Sequence, residues 1–275
     1  MSDSVSSEAD LGAAARTGRR SRSVALGRTV FLLLFLAIWQ GAVSLHLANP
    51  AFISSPADIA RALWDLVKDG EILPHLATTL AEIAIAFTLS IVFGIGSAIL
   101  LDRNAWLHQT VSPFLTAFNS MPRIALGPLF ILWFGIGITS KVVLAFSLGY
   151  FIMLLSTLGG LKNVDRDLLL MSRLFGASNL RLFRDVRLPW ALPGIFAGLR
   201  LTLIYCSAGA VIGEMISAKS GLGLLVQTFS GRFDVAGVMA LILVVALMVM
   251  ALTALMDFAE RRLFEWSRGS TDVPG

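Results

Sequence analysis

The side chains that most often do chemistry in proteins are sparse in this sequence and are not grouped. The three histidines, His46, His75 and His108, stand apart, and none belongs to an H-E-x-x-H zinc pattern. Cys206 is the only cysteine, which excludes a disulfide within the chain and a site built from several thiolates. No G-x-x-x-x-G-K-[ST] loop is present to bind a nucleotide phosphate. We therefore expect no catalytic residue, metal site or cofactor in this chain, and an intramembrane enzyme is the least favoured function.

Two acidic residues lie inside apolar runs, where an ionisable side chain is costly and usually faces protein or water. Glu214 lies near the end of one run and Glu82 near the start of another. Either could bind a proton or an ion on a transport pathway. Either could instead lie at the membrane interface, reaching outward or pairing with a basic neighbour. The interfacial interpretation is favoured for both, more strongly for Glu82, and Glu214 is kept as a candidate pathway residue.

The composition places these residues in an integral membrane protein. Of the 275 residues, 56% are hydrophobic and only 15% are charged. Soluble domains carry about 25% charged residues, so this chain has too little polar surface for a water-soluble globule. The net charge of +4 could indicate nucleic acid, but the positions of the basic residues fit membrane orientation better.

Six apolar segments are near the length of about 20 residues that a membrane-spanning helix needs. They cover residues 30–47, 76–101, 111–134, 142–161, 193–216 and 235–256. We predict an all-α polytopic protein with six transmembrane helices over 29–260, a disordered basic tail over 1–28, and a second tail over 261–275. A cleaved signal peptide is the alternative at the N-terminus, but the first run exceeds the usual 7–15-residue signal core.

The basic residues predict how the spans are oriented. With the N-terminus inside, the inner segments hold 15 Lys and Arg and the outer segments hold five. Such a bias places both termini and the loop after the fourth span in the cytoplasm. On the outer side, residues 56–70 are predicted to form a surface helix, and residues 217–234 a compact, turn-rich loop.

The polar loop between the fourth and fifth spans begins with a predicted helix over 165–175. Asp165 and Asp167 lie at its start, where negative charge suits the helix dipole. One apolar face has helical spacing and consists of Leu168, Met171, Leu174 and Phe175. The pattern predicts an amphipathic helix with an apolar ridge.

A second helix is predicted over 179–187, after a turn at Gly176 that a larger side chain would hinder. Its basic residues are Arg181, Arg184 and Arg187. Pro189 and Pro193 are predicted to stop this helix and to start the fifth span. The resulting helix–turn–helix could rest on the lipid surface or dock a cytoplasmic partner, and the pattern alone favours neither.

The third span contains three prolines, Pro113, Pro122 and Pro128, that interrupt it. Breaks at membrane depth survive only where they are buried or face water, and they often mark a substrate path. A packing kink between helices is the equal alternative. Asn119, Ser120 and Arg123 beside the break favour a pathway slightly. The candidate pathway residues are therefore Asn119, Pro122, Arg123, Pro128 and Glu214.

The same loop resembles the signature loop of ABC-importer permeases. That motif reads Glu-Ala-Ala, three residues, Gly, nine residues, Ile-x-Leu-Pro. Gly176 and Val186-Arg187-Leu188-Pro189 have this spacing, with Val186 in place of Ile. The resemblance extends to Trp133-Phe134-Gly135-Ile136-Gly137, to Gly198-Leu199-Arg200 and Glu214-Met215, and to Ser220-Gly221-Leu222-Gly223. Within the family it is to the sulfonate/nitrate/taurine-type permeases.

The resemblance implies an ABC type I importer permease in the bacterial inner membrane. It implies a permease dimer, two cytoplasmic ATPase subunits that use the ATP, and an external substrate-binding protein. Residues 162–190 would be the coupling loop. Its docking residues would be Asp165, Leu168, Met171, Arg173, Phe175, Gly176, Ala177, Val186, Leu188 and Pro189. The implied solute is a small sulfonate, nitrate or taurine-like anion, although related permeases carry pyrimidine precursors.

One departure from the family motif concerns docking. Leu170-Met171-Ser172 replaces Glu-Ala-Ala, so the acidic residue that would usually help to dock the ATPase is absent. Docking is then expected to depend on Leu168, Met171, Phe175 and shape, with a contribution from Arg173. The alternative function is a self-contained secondary transporter or channel with Glu214 as its ion site.

Overall fold

All regular secondary structure in the part of the chain that the structure describes is helical. This computed structural model describes residues 24, 26–47, 49 and 52–263, and no strand occurs among them. Five of its helices are long and apolar enough to cross a membrane: Leu26–Ser44 (α1), Ile72–Arg103 (α3), Ile138–Lys162 (α6), Asn179–Ile216, and Val235–Leu263 (α11). A sixth span is obtained by counting one bent helix pair, which agrees with the predicted number.

The predicted tails lie mostly outside the described residues. Of residues 1–28, the structure describes 24 and 26–28, and these are helical, so the predicted tail is too long at its C-terminal end. At the other end, α11 continues to Leu263. Both terminal helices therefore continue past the predicted limits of the transmembrane domain.

The helix predicted for the outer surface is present as Pro56–Lys68 (α2). The Ser55 side chain caps this helix by accepting a hydrogen bond from the backbone N–H of Asp58. A proline in the first turn costs little, because the N–H groups of that turn have no partner within the helix. The Gln40 side chain of α1 accepts the backbone N–H of Ala57 at 3.2 Å. This contact ties the C-terminal part of the first span to α2.

Three long helices pack closely at the centre: α3, α6 and the fifth span, whose α-helical part is Leu188–Ile216 (α9). Gly149 of α6 lies where all three meet. A Cβ there would come within 2.5 Å of Cys206 Sγ and 2.7 Å of Ser90 Oγ. Small residues allow helix backbones to approach this closely. In lipid, the packing that follows stabilises helix association, because burying apolar surface gives no gain there.

The third span is divided into Ala105–Ser120 (α4), a 3₁₀ turn at Arg123–Leu126, and Gly127–Phe134 (α5), with a bend of 80°. The bend falls at Pro122, as predicted. Pro113 was expected to interrupt the span too, and this is wrong, because α4 continues through it. Pro128 lies in the first turn of α5, where a missing N–H costs little.

The predicted coupling loop contains Arg166–Leu174 (α7), Asn179–Arg181 (α8) and a π-helical turn at Leu182–Arg187 that runs directly into α9. The prediction that Pro189 and Pro193 stop a helix is wrong. Pro189 lies in the first turn of α9 and Pro193 lies inside it. At membrane depth, ending the helix would leave several backbone groups unpaired, whereas each proline removes one donor.

Candidate functional site

The turn of the coupling loop exposes large apolar side chains. Leu174 and Phe175 are each 86% exposed, and Met171 is 56% exposed. Leu168, on the same helix, is half-buried. We call Met171, Leu174 and Phe175 the tip. Their exposure on a polar loop makes the tip a candidate contact surface.

Local capping shapes this turn. Asp165 caps α7 by accepting the backbone N–H of Asp167 at 2.8 Å. Gly176 follows α7 with φ +78°, a conformation that favours glycine. The N–H of Ala177 donates to the carbonyl of Ser172 at 3.0 Å and closes the turn. The predicted order of helix, glycine turn and helix is confirmed here.

A cleft of about 290 Å³ lies beside the tip. It is lined by Ser172, Phe175, Gly176, Ala177, Arg181, Asp185 and Val186. Four predicted docking residues, Phe175, Gly176, Ala177 and Val186, are thus brought together from both arms of the loop. Leu188 and Pro189 lie instead at the base of the loop. Leu188 packs there against the core cluster that contains Met153 and Leu161.

An ion pair at the base of the loop was missed by sequence reasoning. Both terminal nitrogens of Arg187 donate to the carboxylate of Asp102, at 2.7 Å each. One of them also donates to the carbonyl of Leu161 at 3.1 Å. Asp102 follows an apolar run and Arg187 lies in a basic loop, but the sequence contains no signal that pairs them across 85 positions.

Four candidate pathway residues lie at the bend of the third span. Arg123 donates to Asn119 Oδ1 at 2.7 Å and to the carbonyl of Ser147 in α6 at 2.9 Å. Its guanidinium lies 4.8 Å from the centre of the Phe151 ring. Pro122 directly precedes these contacts, and Pro128 begins the helix after them. Arg123 therefore fastens the broken span to α6.

A cleft lined in part by polar side chains lies beside this bend, between α4 and α6. Its volume is about 350 Å³. Its polar lining residues are His108, Ser112, Thr116, Asn119, Ser120 and Lys162. Ser112, Thr116 and Asn119 follow helical spacing, so one face of α4 is polar along its C-terminal half.

Glu214 is separate from that group, and it shares no hydrogen bond or ion pair with the bend among the described residues. Its side chain is fully buried. One carboxylate oxygen accepts the Thr79 hydroxyl at 2.7 Å, and the other accepts the backbone N–H of Gly223 at 2.7 Å. The expectation that Glu214 reaches outward to the interface is therefore wrong.

The same expectation is wrong for Glu82, whose side chain is 2% exposed. Its carboxyl group lies beside that of Glu214, and the ammonium of Lys141 is near both. Lys141 is itself buried and donates to the carbonyl of Gly137 at 2.9 Å. The opposite charge of Lys141 offsets part of the cost of burying the two acids.

The segment 217–234, predicted to be a turn-rich outer loop, contains a helix instead, Leu222–Gly231 (α10). Side chains from α3 and α9 cap its first turn. The N–H groups of Gly221, Leu222 and Gly223 donate to His75 Nδ1, Thr79 Oγ1 and Glu214 Oε2. The negative charge of a glutamate is favourable at a helix N-terminus, so Glu214 has a structural partner.

The comparisons with known proteins agree with this architecture. Residues 90–266 match the family described as binding-protein-dependent transport system inner membrane component. The riboflavin transport system permease protein RibX of Chloroflexus aurantiacus is 35% identical over 252 residues, covering 91% of this chain and 94% of the relative. The formylaminopyrimidine transport permease protein ThiX of Halalkalibacterium halodurans is 34% identical, covering 89% and 97%. The taurine transport system permease protein TauC of Escherichia coli is 30% identical, covering 86% and 87%.

Solved transporter structures share the fold. A chain of the MetNI methionine ABC transporter in an inward-facing conformation is 26% identical, with a TM-score of 0.58, covering 70% of this chain and 94% of that chain. An amino acid ABC transporter structure with histidines matches with a TM-score of 0.59 at 18% identity, which shows the fold alone. The helical architecture and the predicted family are thus confirmed. This chain belongs to the binding-protein-dependent transport system inner membrane component family and is an ABC importer permease.

Proposed function

We propose that two copies of this chain form the translocation pathway and that each coupling loop docks an ATPase subunit in the cytoplasm. The 86% exposure of Leu174 and Phe175 carries the docking part of this proposal. Covering large apolar side chains of this kind with a partner releases bound water and stabilises the complex. The excess of basic residues on the same side of the membrane supports a cytoplasmic position for the loop and for both termini.

Pairing of two copies is supported by the bent third span. Large apolar side chains along it are exposed: Trp106, Phe114, Phe118, Leu132 and Trp133. The polar face of α4 lies on the same arm. Two such arms facing each other would enclose a pathway that a single chain, with only six spans, does not enclose.

ATP would act through the coupling loops. A ligand or partner shifts a conformational equilibrium only when it binds the two states unequally. The docked loops must therefore contact the nucleotide-bound and nucleotide-free ATPases differently. Rocking of the helices that continue from the loops would then open the pathway alternately to the two sides.

For the transported solute we propose a small organic molecule delivered by an external binding protein, and two classes are supported. A sulfonate or taurine-like anion is supported by the TauC relative and by the basic Arg123 at the bend. A heterocyclic vitamin or vitamin precursor is supported by the RibX and ThiX relatives, at 35% and 34% identity. Uptake of radiolabelled taurine, riboflavin and formylaminopyrimidine by vesicles carrying the transporter with its own binding protein distinguishes the classes.

The docking proposal is tested by co-purification of the ATPase with Phe175→Ser in mild detergent. Phe233→Ser is the matched control, since Phe233 is 89% exposed but lies between α10 and α11 on the predicted outer side. We expect Phe175→Ser to lose most of the bound ATPase and Phe233→Ser to retain it. Gly176→Pro, which cannot adopt φ +78°, should uncouple ATP hydrolysis from uptake while the protein stays in the membrane. Full ATPase binding and coupled uptake in both loop variants would refute the docking role.

A further inference from the structure

We propose that Asp102 and Arg187 are positioning residues that transmit movement of the coupling loop to the membrane-spanning helices. This inference depends on the proposed function, in which the loop is held by an ATPase. Neither residue touches the solute or the ATPase in this proposal. Their role is to make the base of the loop move together with α3 and α6.

The geometry of the pair supports a rigid link. The guanidinium of Arg187 binds both carboxylate oxygens of Asp102 at 2.7 Å, which fixes the relative orientation of the two groups as well as their distance. Its third hydrogen bond goes to the carbonyl of Leu161, in the last turn of α6. One side chain therefore joins the loop to the cytoplasmic ends of two separate spans.

The environment makes this pair stronger than a surface ion pair. The Asp102 side chain is 5% exposed and the Arg187 side chain 24% exposed. Water screens such a pair weakly, and removal of one partner leaves a poorly solvated charge. A link of this kind is expected to persist while the loop moves.

The position of Arg187 in the chain shows why a link is needed. Arg187 is the last residue of the π-helical turn that connects α8 to α9. A π-helical turn has an irregular hydrogen-bond ladder and is a place where a long helix can bend. The ion pair fixes the last residue of this turn to the ends of α3 and α6. With the pair intact, displacement of the loop is passed to α3 and α6, and without it the turn is free to bend.

A second contact supports the first. The guanidinium of Arg103, which follows Asp102, lies 5.0 Å from the centre of the Phe183 ring in the same π-helical turn. Phe183 packs against the cluster that contains Met153 and Leu161. The end of α3 is therefore in contact with both the first and the last part of the turn.

A matched control pair exists elsewhere. Arg200 in α9 pairs with Asp257 and Glu260 in α11, but the side chains of Arg200 and Asp257 are 47% and 39% exposed. This pair links α9 to α11 and includes no residue of the coupling loop. Its loss removes an arginine–carboxylate contact without affecting the path from the loop to α3.

The experiment compares complete transporters, with ATPase and binding protein, reconstituted in vesicles. The variants are Asp102→Asn, Arg187→Gln, the double variant, and Arg200→Gln. Solute imported per ATP hydrolysed, the amount of co-purified ATPase and the apparent unfolding temperature are measured for each. For both single variants we expect the import ratio to fall about tenfold, within the usual range of coupling between sites, with normal ATPase binding. Arg200→Gln should keep the wild-type ratio.

The double variant separates transmission from stability. Because it leaves no unpaired charge, we expect it to recover most of the unfolding temperature lost by the single variants while its import ratio stays low. Recovery of both quantities together would reduce the pair to a structural contact and overturn the inference, as would a wild-type ratio in Asp102→Asn. If the wild-type chain does not co-purify with an ATPase, that result refutes the proposed function rather than the role of this ion pair.

Discussion

The carboxylate of Glu214 accepts the backbone N–H of Gly223 at 2.7 Å, which places a buried acid at the N-terminus of α10. The same carboxylate binds the Thr79 hydroxyl of α3. One side chain of α9 therefore connects α3 to the first turn of α10. This contact accounts for a charged residue inside an apolar segment without assigning it an ion or a proton to carry.

Substituting Glu214 by glutamine tests this structural role. The amide keeps the shape and one acceptor but loses the charge that favours a helix N-terminus and faces Lys141. We expect a loss of about 2 kcal/mol, the usual scale for a hydrogen bond to a charged group, seen as a lower apparent unfolding temperature in detergent. Glu71→Gln, at an exposed position directly before α3, should leave that temperature unchanged. Normal stability combined with loss of ion-dependent uptake would instead favour the alternative of an ion site.

The glycines of the Ser220-Gly221-Leu222-Gly223 segment give a second prediction. Gly221 has φ +127°, and a Cβ at this position would overlap the carboxylate of Glu214. Gly221→Ala should therefore both strain the backbone and displace the cap of α10, lowering the apparent unfolding temperature. Gly231→Ala is the matched control, since a Cβ there meets nothing within 4 Å in the last turn of the same helix. Equal unfolding temperatures for the two variants would contradict the close approach of Gly221 to the carboxylate of Glu214.

Cysteine labelling tests the polar face of α4. The native Cys206 is fully buried, so the folded protein should not react with a water-soluble maleimide. We expect Ser120→Cys, in the cleft between α4 and α6, to react rapidly, because a thiol must reach water to form the reactive thiolate. Val92→Cys is the control, as Val92 is 60% exposed in the middle of the apolar α3. Equal protection of both cysteines would show that this face of α4 is covered by apolar material rather than by water.

Several features of this fold could be predicted because their causes are local. Runs of apolar residues predict spans, since a helix is the local way to pair every backbone group in lipid. The carboxylate of Asp165 at the start of α7 and the glycine turn at Gly176 also depend only on near neighbours in the chain. These are the features for which sequence and structure agree.

The features that were missed depend on contacts between distant segments. The first turn of α10 is capped by His75 and Thr79, more than 140 positions away. The partner of Arg187 belongs to another span, so neither residue signals the pair by itself. Pro189 and Pro193 do not end the helix as predicted. Each removes one backbone donor, but ending the helix between packed neighbours would leave more backbone groups unpaired.

Replacing Pro193 by alanine tests whether α9 is continuous. Pro193 lies inside the helix and its ring is exposed, so alanine loses little packing and gains an N–H that can donate to the carbonyl of Pro189. We expect a higher apparent unfolding temperature, by a few degrees, because a proline in a helix interior costs up to about 3 kcal/mol relative to alanine. Uptake should stay at the wild-type level if the missing bond has no role in movement. A more stable variant that imports poorly would show instead that α9 bends at this proline during transport.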